Sequence, residues 1–297
     1  MPANEICGLR LDFLPCLRVD GADADNFLQG QFSNDIRRLT TELGQISSYS
    51  NPKGRMLAVL HLLRRVDGIH LELHHSVHDS ILKRLRMFVL RSQVTLEASR
   101  LQSLGVLGSG AAEFLRCAGL PDPESPLGCA SRNGITVMRR IGAVPRFSLH
   151  GSESALACIE GQLPATASVN DWLLADIEAG VPTIYAETQD RFVPQWCNLD
   201  QLDGISFDKG CYTGQEIVAR MHYLGSVKRR MVRATSAVPA PVPGLLLFMP
   251  DNDQSVGEIV QAVTVASGCA ISAVVQTTYS NAELRMGSAH GPLLKLN

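Results

Sequence analysis

The sequence has no hydrophobic run that approaches the roughly 20 residues needed to cross a bilayer. Apolar residues make up 45% of its 297 residues and charged residues 19%, which is typical of a soluble globular protein. Residues 1–5 carry no basic stretch followed by a long apolar core, which argues against a secretory leader. We therefore expect a cytoplasmic protein that has no membrane partner.

Paired cysteine spacing and strong net charge are also absent. The cysteines stand singly, at positions 7, 16, 117, 129, 158, 197, 211 and 269, so they predict neither a disulfide framework nor a zinc or iron–sulfur site. The formal net charge of −2 gives the chain as a whole no attraction to phosphate backbones, which argues against direct tRNA binding. The short basic cluster at 228–230 is most simply explained as a solvated strand or turn.

The length of the chain predicts two or three domains, because one compact core does not extend over this many residues. Strand-like and helix-like patterns alternate over about the first 100 residues, and again over 101–170, which is α+β behaviour. Closely spaced prolines at 237–244 favour a semi-rigid linker. The segment that follows shows short strands and no good helix, which predicts a small β-barrel or sandwich.

A histidine-rich stretch follows the period of a half-buried strand. Over 69–74, the polar residues His70, Glu72 and His74 alternate with apolar ones. Histidines at 70, 74, 75 and 78 are close enough in sequence to suggest a metal site. However, we place His70 and His74 on the outward face of the strand and His78 on the next helix, so no metal site is predicted.

Residues 209–216, Lys-Gly-Cys-Tyr-Thr-Gly-Gln-Glu, combine several local signals. Thr213 followed by Glu216 has the spacing of a capping box, which predicts a helix that begins at Gly214. The helix N-terminus would point back at Cys211, and its partial positive charge together with Lys209 favours thiolate over thiol. A small buried cysteine beside a tight turn explains the same residues, and the pattern alone leaves both interpretations open.

These eight residues resemble the signature of the YgfZ family, folate-binding relatives of the glycine-cleavage T-protein. Other segments fall in the order of the family's motifs, at 21–23, 27–31, 34–35, 53–55, 180–182, 192–195, 198–200, 204–207 and 218–220. The resemblance covers most of about the first 235 residues. The C-terminal part matches only in its strand character.

The resemblance implies an α+β fold, a three-domain ring with ferredoxin-like units, a C-terminal β-barrel and a central hole that receives tetrahydrofolate. The implied domains are 1–100 plus 171–233, which binds folate, then 101–170, and then the barrel at 234–297. The resemblance also implies a role in making or repairing iron–sulfur enzymes, including some that modify tRNA.

The family's signature segment lines the central cavity, so the resemblance implies folate-site roles for Lys209, Cys211, Tyr212, Gln215 and Glu216.

Three further residues are candidates for contact with folate. Trp172 matches a position where the family offers an aromatic face to folate, and a flat pterin suits an indole. A tryptophan on a helix is also a common core residue, and that alternative stays open. Arg191 and Arg220 are candidates for pairing with the glutamate tail, since guanidinium matches carboxylate in a two-point geometry. Surface salt bridging is the competing explanation.

One departure from the T-protein pattern limits the enzymatic interpretation. T-proteins carry paired aspartates shortly after the position of Gly54, whereas here the corresponding residues are Ala58 and Val59. Neither side chain handles a proton, which argues against the T-protein reaction by that route. Asp200 and Asp203, with Glu216, offer a carboxylate group for acid–base work, but a turn and a helix cap explain them more simply.

The sequence therefore predicts a monomeric, tetrahydrofolate-binding accessory protein for iron–sulfur cluster assembly or repair, in which Cys211 is needed for activity. The partners expected are folate and iron–sulfur enzymes or assembly proteins. A folate-dependent one-carbon transferase is the alternative from the enzyme class. A tRNA-binding module acting through 228–230 is the third possibility.

Overall fold

The computed structural model describes residues 6–296. In this range the chain forms two five-stranded antiparallel sheets, each covered by helices on one face, and a closed six-stranded barrel at the C-terminal end. The predicted α+β fold with a C-terminal β-barrel is confirmed. No helix between residues 6 and 296 has both the length and the apolar character needed to span a membrane.

The elements are named in chain order. The strands are β1 Cys7–Arg10, β2 Cys16–Asp20, β3 Gln45–Ser50, β4 Met56–Arg65, β5 Gly68–Glu72, β6 Thr95–Ala98, β7 Gln102–Leu107, β8 Cys129–Arg132, β9 Ile135–Arg139, β10 Arg146–Gly151, β11 Arg229–Ser236, β12 Leu246–Phe248, β13 Ser255–Val265, β14 Gly268–Gln276, β15 Leu284–Met286 and β16 Leu293–Leu296. The helices are α1 Ala24–Gln29, α2 His75–Phe88, α3 Ala111–Cys117, α4 Glu153–Glu160, α5 Val169–Ala179 and α6 Gln215–Tyr223.

The first sheet has the strand order β3-β4-β5-β2-β6 and carries α1 and α2 on one face. Alternate residues of its strands, such as Leu17 and Leu71, point into the apolar layer beneath these helices. Helix α2 begins at His75, and His74 is its N-cap, with a ring nitrogen that accepts from the Ser76 amide.

The second sheet has the order β1-β7-β10-β9-β8 and packs α3 and α4 on one face. Its edge strand β1 comes from the start of the chain, with Cys7 opposite Leu107 in the antiparallel register. The predicted division at residue 100 therefore assigns β1 to the wrong unit, because β1 precedes the first sheet in sequence but belongs to the second sheet.

The barrel has the order β11-β14-β13-β12-β15-β16. It begins with β11 at Arg229, five residues before the predicted boundary at 234. The proline-rich stretch 237–244 was predicted to separate domains, but it connects the first two barrel strands instead. The prolines therefore lie in a connecting segment, but the segment joins two strands of one barrel rather than two domains.

The remaining faces of the two sheets pack against each other and are largely polar, with a small apolar cluster of Leu63, Cys129 and Met138. Glu72 of the first sheet accepts a hydrogen bond of 2.5 Å from Arg140, which follows β9 of the second sheet. The Arg140 guanidinium also contacts the ring of His61, and His150 lies 3.8 Å from the Glu72 carboxylate. Burial raises the pKa of Glu72 against the effect of Arg140, and burial with Arg140 lowers the pKa of His150 to about 3. Burial, with the charge of Arg140, also lowers the pKa of His61 well below its ordinary value, so both imidazoles are neutral near pH 7.

The alternation predicted for 69–74 is present, but the outward position expected for His70 is wrong. His70 is fully buried and bonds to Ser99 Oγ at 3.0 Å and Asp67 at 3.2 Å. The polar side of this strand meets the second sheet rather than solvent. Among residues 6–296, no three His, Cys, Asp or Glu side chains are arranged to hold a metal ion.

The Arg140–Glu72 pair gives a first prediction. Arg140→Met leaves the Glu72 carboxylate buried without its cation, so we expect the free energy of unfolding to fall by about 3–5 kcal/mol. The control is Arg116→Met in the same unit, which removes an exposed partner of Asp122 and is expected to cost under about 1 kcal/mol. Urea unfolding of both variants measures the difference, and equal losses would contradict the role given to the buried pair.

Candidate functional site

Lys209 anchors the segment 209–216 to the chain that follows α1. The side chain is buried, and its ammonium donates to the carbonyls of Phe32 at 2.6 Å and Asn34 at 2.8 Å. It also lies 5.0 Å from the centre of the Tyr212 ring, within cation–π range. Burial lowers the pKa of Lys209 to about 8. Lys209 therefore fixes the backbone at 32–34, and two of the three N–H groups of its ammonium are engaged by carbonyls.

Tyr212 and Gln215 complete this anchor. Tyr212 is buried, which raises the pKa of its hydroxyl, and its amide donates to Gln215 Oε1 at 3.4 Å. The predicted capping box is wrong, because Gly214 is the N-cap of α6 and makes no side-chain cap bond. The amide of Thr213 instead donates to the carbonyl of Gly30 at 3.3 Å.

The start of α6 is set by a close approach of two backbones. Gly214 has φ +84, and a Cβ there would lie 2.5 Å from the Asn51 carbonyl oxygen and 3.0 Å from Gly54 Cα. Gly54 has φ +69, and a Cβ there would lie 2.8 Å from the Cβ of Ile217. Only glycine suits both the left-handed backbone and the lack of space. The turn at 53–55 and the segment 209–216 therefore form one unit.

Cys211, Glu216 and Arg220 lie at the surface of this unit. The Cys211 thiol is free and exposed, and within residues 6–296 neither Glu216 nor Arg220 forms an ion pair. The Lys209 ammonium is held by the backbone carbonyls of residues 32 and 34. Cys211 is thus accessible to a large partner.

Trp172 and Arg191 lie elsewhere and are already engaged. Trp172 is fully buried in α5, with the Arg146 guanidinium 5.0 Å and the Arg140 guanidinium 5.7 Å from its ring. A Cβ at Gly105 would lie 2.6 Å from this ring, so the indole offers no face to a ligand. Arg191 donates to Glu258 of the barrel at 2.8 Å and bridges two parts of the chain.

A cleft of about 290 Å³ lies where three parts of the chain meet. Apolar side chains form much of its wall, and amides and a charged pair complete it. The lining residues are Asn34, Arg38, Leu43, Gly44, Gln45, Pro126, Leu127, Ile141, Gln201, Leu202 and Asp203. The apolar residues at 127, 141 and 202 pack against a buried cluster that contains Val59, Val260 of β13 and Val274 of β14.

The polar groups of this cleft are held in place by the anchor described above. Asn34 donates through its amide to the Asp203 carbonyl at 2.7 Å, while Lys209 holds its own carbonyl. Gln45 donates to the Asp35 carbonyl at 2.7 Å, but its Oε1 is buried and has no hydrogen-bond partner. An unpaired buried acceptor next to a cleft is suited to a donor on a ligand.

The carboxylates expected near this region are only partly available. Asp200 accepts hydrogen bonds from two guanidinium nitrogens of Arg230, at 2.6 and 2.8 Å, so its carboxylate is already engaged in an ion pair. Asp203 lines the cleft and lies 3.4 Å from Arg38. Ala58 and Val59 are buried in apolar surroundings. The sequence pattern identified Asn34 through its motif, whereas Gln45 and Ile141 have no local signal.

The two-glycine contact gives a second prediction. Gly214→Ala forces a Cβ into the Asn51 carbonyl in a left-handed backbone, so we expect a loss of about 2 kcal/mol or more in unfolding free energy. Gly210→Ala is the matched control, because a Cβ there meets nothing within 4 Å, and a change within about 0.5 kcal/mol is expected. Chemical denaturation of the pair decides, and a Gly214→Ala protein as stable as the control would refute the contact.

Comparison with known proteins agrees with this architecture. No protein-family model matches the chain. The glycine cleavage system aminomethyltransferase T from Bartonella henselae superposes with a TM-score of 0.74 and 14% sequence identity, over 99% of this chain and 85% of that one. The fold is therefore that of the T-protein class.

Curated relatives narrow the class to one family. The tRNA-modifying protein YgfZ of Enterobacter sp. (strain 638) is 33% identical, over 93% of this chain and 86% of its own length. The YgfZ proteins of Escherichia coli O7:K1 and Yersinia enterocolitica are 33% and 34% identical, over 92% and 88% of this chain and 85% and 81% of theirs. The chain belongs to the YgfZ family, as the signature segment indicated.

Proposed function

We propose that this protein binds tetrahydrofolate or a derivative and acts, as a cytoplasmic monomer, in the assembly or repair of iron–sulfur clusters, including those of tRNA-modifying enzymes. Its curated relatives are named tRNA-modifying proteins, and its fold is that of a T-protein. The observation that carries the folate part is the cleft lined by residues from 34–45, 126–141 and 201–203, which include Gln45, whose buried side-chain oxygen has no hydrogen-bond partner within the described part of the chain.

The chemistry of the cleft fits the pterin end of a folate. Its volume of about 290 Å³ is near the lower end of the roughly 300–1,000 Å³ found for small-molecule pockets, so it suits a bicyclic ring better than a whole folate. Leu127, Ile141 and Leu202 offer apolar contact to the flat faces of the ring. Gln45 Oε1 offers an acceptor to an N–H group on its edge.

The glutamate tail of a folate would extend beyond the cleft. Arg38 lines the cleft, is more than half exposed and has only a 3.4 Å contact to the exposed Asp203, so it is available to a carboxylate. Arg220 remains a candidate for the same role, whereas Arg191 would first have to leave Glu258. We therefore propose Arg38 as the first contact for the tail.

An accessory role is favoured over T-protein-like catalysis. Ala58 and Val59 put apolar side chains where that reaction needs a carboxylate, and Asp200 is held by Arg230. A different one-carbon transfer at Cys211 is the alternative. Turnover of labelled methylene-tetrahydrofolate that disappears in Cys211→Ala would establish that alternative and overturn the accessory role.

Blocking the cleft gives a third prediction. Leu202→Arg places a charged side chain across the cleft, so we expect tetrahydrofolate binding to weaken at least about 100-fold, or about 2.7 kcal/mol. Leu90→Arg, at a position that is 85% exposed and outside the cleft, is expected to bind as the wild type does. Calorimetric titration measures both affinities, and thermal melting shows whether each variant is folded.

Arg38→Gln extends this test, because the residue is exposed and its replacement should leave the fold intact. We expect weaker binding of tetrahydrofolate and no change for a tetrahydropterin that lacks the glutamate. Undiminished tetrahydrofolate binding by a folded Leu202→Arg protein would refute the cleft as the folate site.

The exposed thiol gives a fourth prediction. Cys211→Ser should abolish support for iron–sulfur enzymes in cells while tetrahydrofolate affinity stays unchanged, because the thiol is outside the cleft. Cys117→Ser and Cys158→Ser are matched controls at exposed cysteines of the second unit. The activity of an iron–sulfur tRNA-modifying enzyme in cell extracts is the readout. Full activity with Cys211→Ser would show that the thiol is dispensable.

A further inference from the structure

Two arginines that form no ion pair within the described part of the chain lie over Trp196, and three further cations that form none there are found on the segments next to them, at 53, on α6 and at 228. Lys53, Arg55, Arg220, Lys228 and Arg229 together with Trp196 and Tyr223 are here called the basic face. Within residues 6–296 none of these five cations forms an ion pair, whereas neighbouring arginines at 191 and 230 are both paired. Unpaired cations grouped on one surface indicate an anionic partner.

Contacts through Trp196 and Gln195 link Arg55 and Arg229 to α6. The guanidinium of Arg55 lies 4.7 Å from the centre of the Trp196 ring, and that of Arg229 lies 5.2 Å from it. The side chain of Gln195, next to Trp196, donates to the Val218 carbonyl of α6 at 2.6 Å. The guanidinium groups of Arg55 and Arg229 therefore both lie against the Trp196 ring, and α6 is next to this residue in the fold.

Flat side chains lie on the same surface. His222 stacks on Phe207, with ring centres 3.7 Å apart and planes 13° apart. Tyr223 meets His222 edge-on and is 62% exposed, which is unusual for a large aromatic residue. An exposed ring beside several cations can stack on a nucleobase while the cations contact phosphates.

Few carboxylates oppose this charge. Glu258 pairs with Arg191, and the charges of Arg229 and Arg55 also lower its pKa against the effect of burial, so it offsets part of their charge. Asp200 pairs with Arg230, and Asp190 bonds to the amide of Asn51. In 207–230 the remaining carboxylates are Asp208 and Glu216. The basic face is therefore locally positive, although the chain as a whole has a net charge of −2.

We propose that the basic face binds single-stranded regions of RNA, with the cations on phosphates and Tyr223 on a base. Evenly repeated negative charge and flat apolar faces occur together in single-stranded nucleic acid, which matches this surface better than scattered carboxylates do. The net charge of −2 on the whole chain does not oppose such binding, because phosphate groups would meet only the local charge of the basic face. The basic face shares no residue with the lining of the cleft, and the variants below leave Arg220, a candidate for the folate tail, unchanged, so the proposal does not depend on folate binding.

The experiment uses the full chain and a fluorescently labelled single-stranded RNA of about 12 nucleotides, with anisotropy measured from 25 to 200 mM NaCl. We expect binding by the wild type that weakens with salt. In the double variant Arg55→Gln with Arg229→Gln, the slope of log affinity against log salt should shrink by about 1.4, at about 0.7 for each lost phosphate contact. Arg55→Lys with Arg229→Lys keeps the charge and should keep most of the slope.

Tyr223→Ala should lower the affinity about fivefold or more at every salt concentration without a change in slope, because stacking is not ionic. The matched control is Lys83→Gln with Arg91→Gln, which removes the same charge from exposed cations in and just after α2 and should leave binding unchanged. Thermal melting shows that the variants are folded.

Three results would overturn the proposal. The first is no salt-dependent RNA binding by the wild type. The second is an equal loss in the Lys83 and Arg91 control, which would mean that only total charge matters. The third is competition by a polyglutamate peptide as effective as that by unlabelled RNA of equal charge, which would point to an acidic protein partner.

Discussion

The two α+β units are joined by an ion pair that is almost completely buried. Arg140 and Glu72 are each at most 3% exposed, and the polar faces of both sheets close around them. A buried charge is tolerated only with its partner, so the position of one sheet against the other is tightly specified. The same packing confines Trp172 beneath Arg140 and Arg146, while the Arg146–Asp176 pair at 2.6 Å ties α5 to this layer. The burial of the tryptophan is thus a consequence of how the sheets meet.

The fold was predictable to the extent that its signals are local. Alternation revealed the strand at 69–74, but the burial of His70 depends on a second sheet that the strand's own pattern does not reveal. The Thr213 and Glu216 spacing predicted a helix close to where α6 begins, yet Gly214 caps it because Gly54 leaves no space for another geometry. Errors arose where a distant segment decided the outcome.

The candidate site shows the same division. Motifs at 34–35, 53–55 and 209–216 were recognisable in the sequence, and the structure brings them together through Lys209 and the two glycines. Gln45, Leu127 and Ile141 come from different parts of the chain and have meaning only where those parts meet. The segment 209–216 therefore holds Asn34 of the cleft in place, whereas residues without a recognisable motif form most of the cleft walls.

The placement of β1 affects how the protein is made. Cys7 lies opposite Leu107, 100 residues later, so β1 is synthesised before every strand of the first sheet but can pair with β7 only after they have all been made. Closing so long a loop has an entropic cost that grows only slowly with length, but it cannot occur before the later strand appears. The second unit is thereby completed only after the first has formed, and an N-terminal truncation would damage the unit that is distant in sequence.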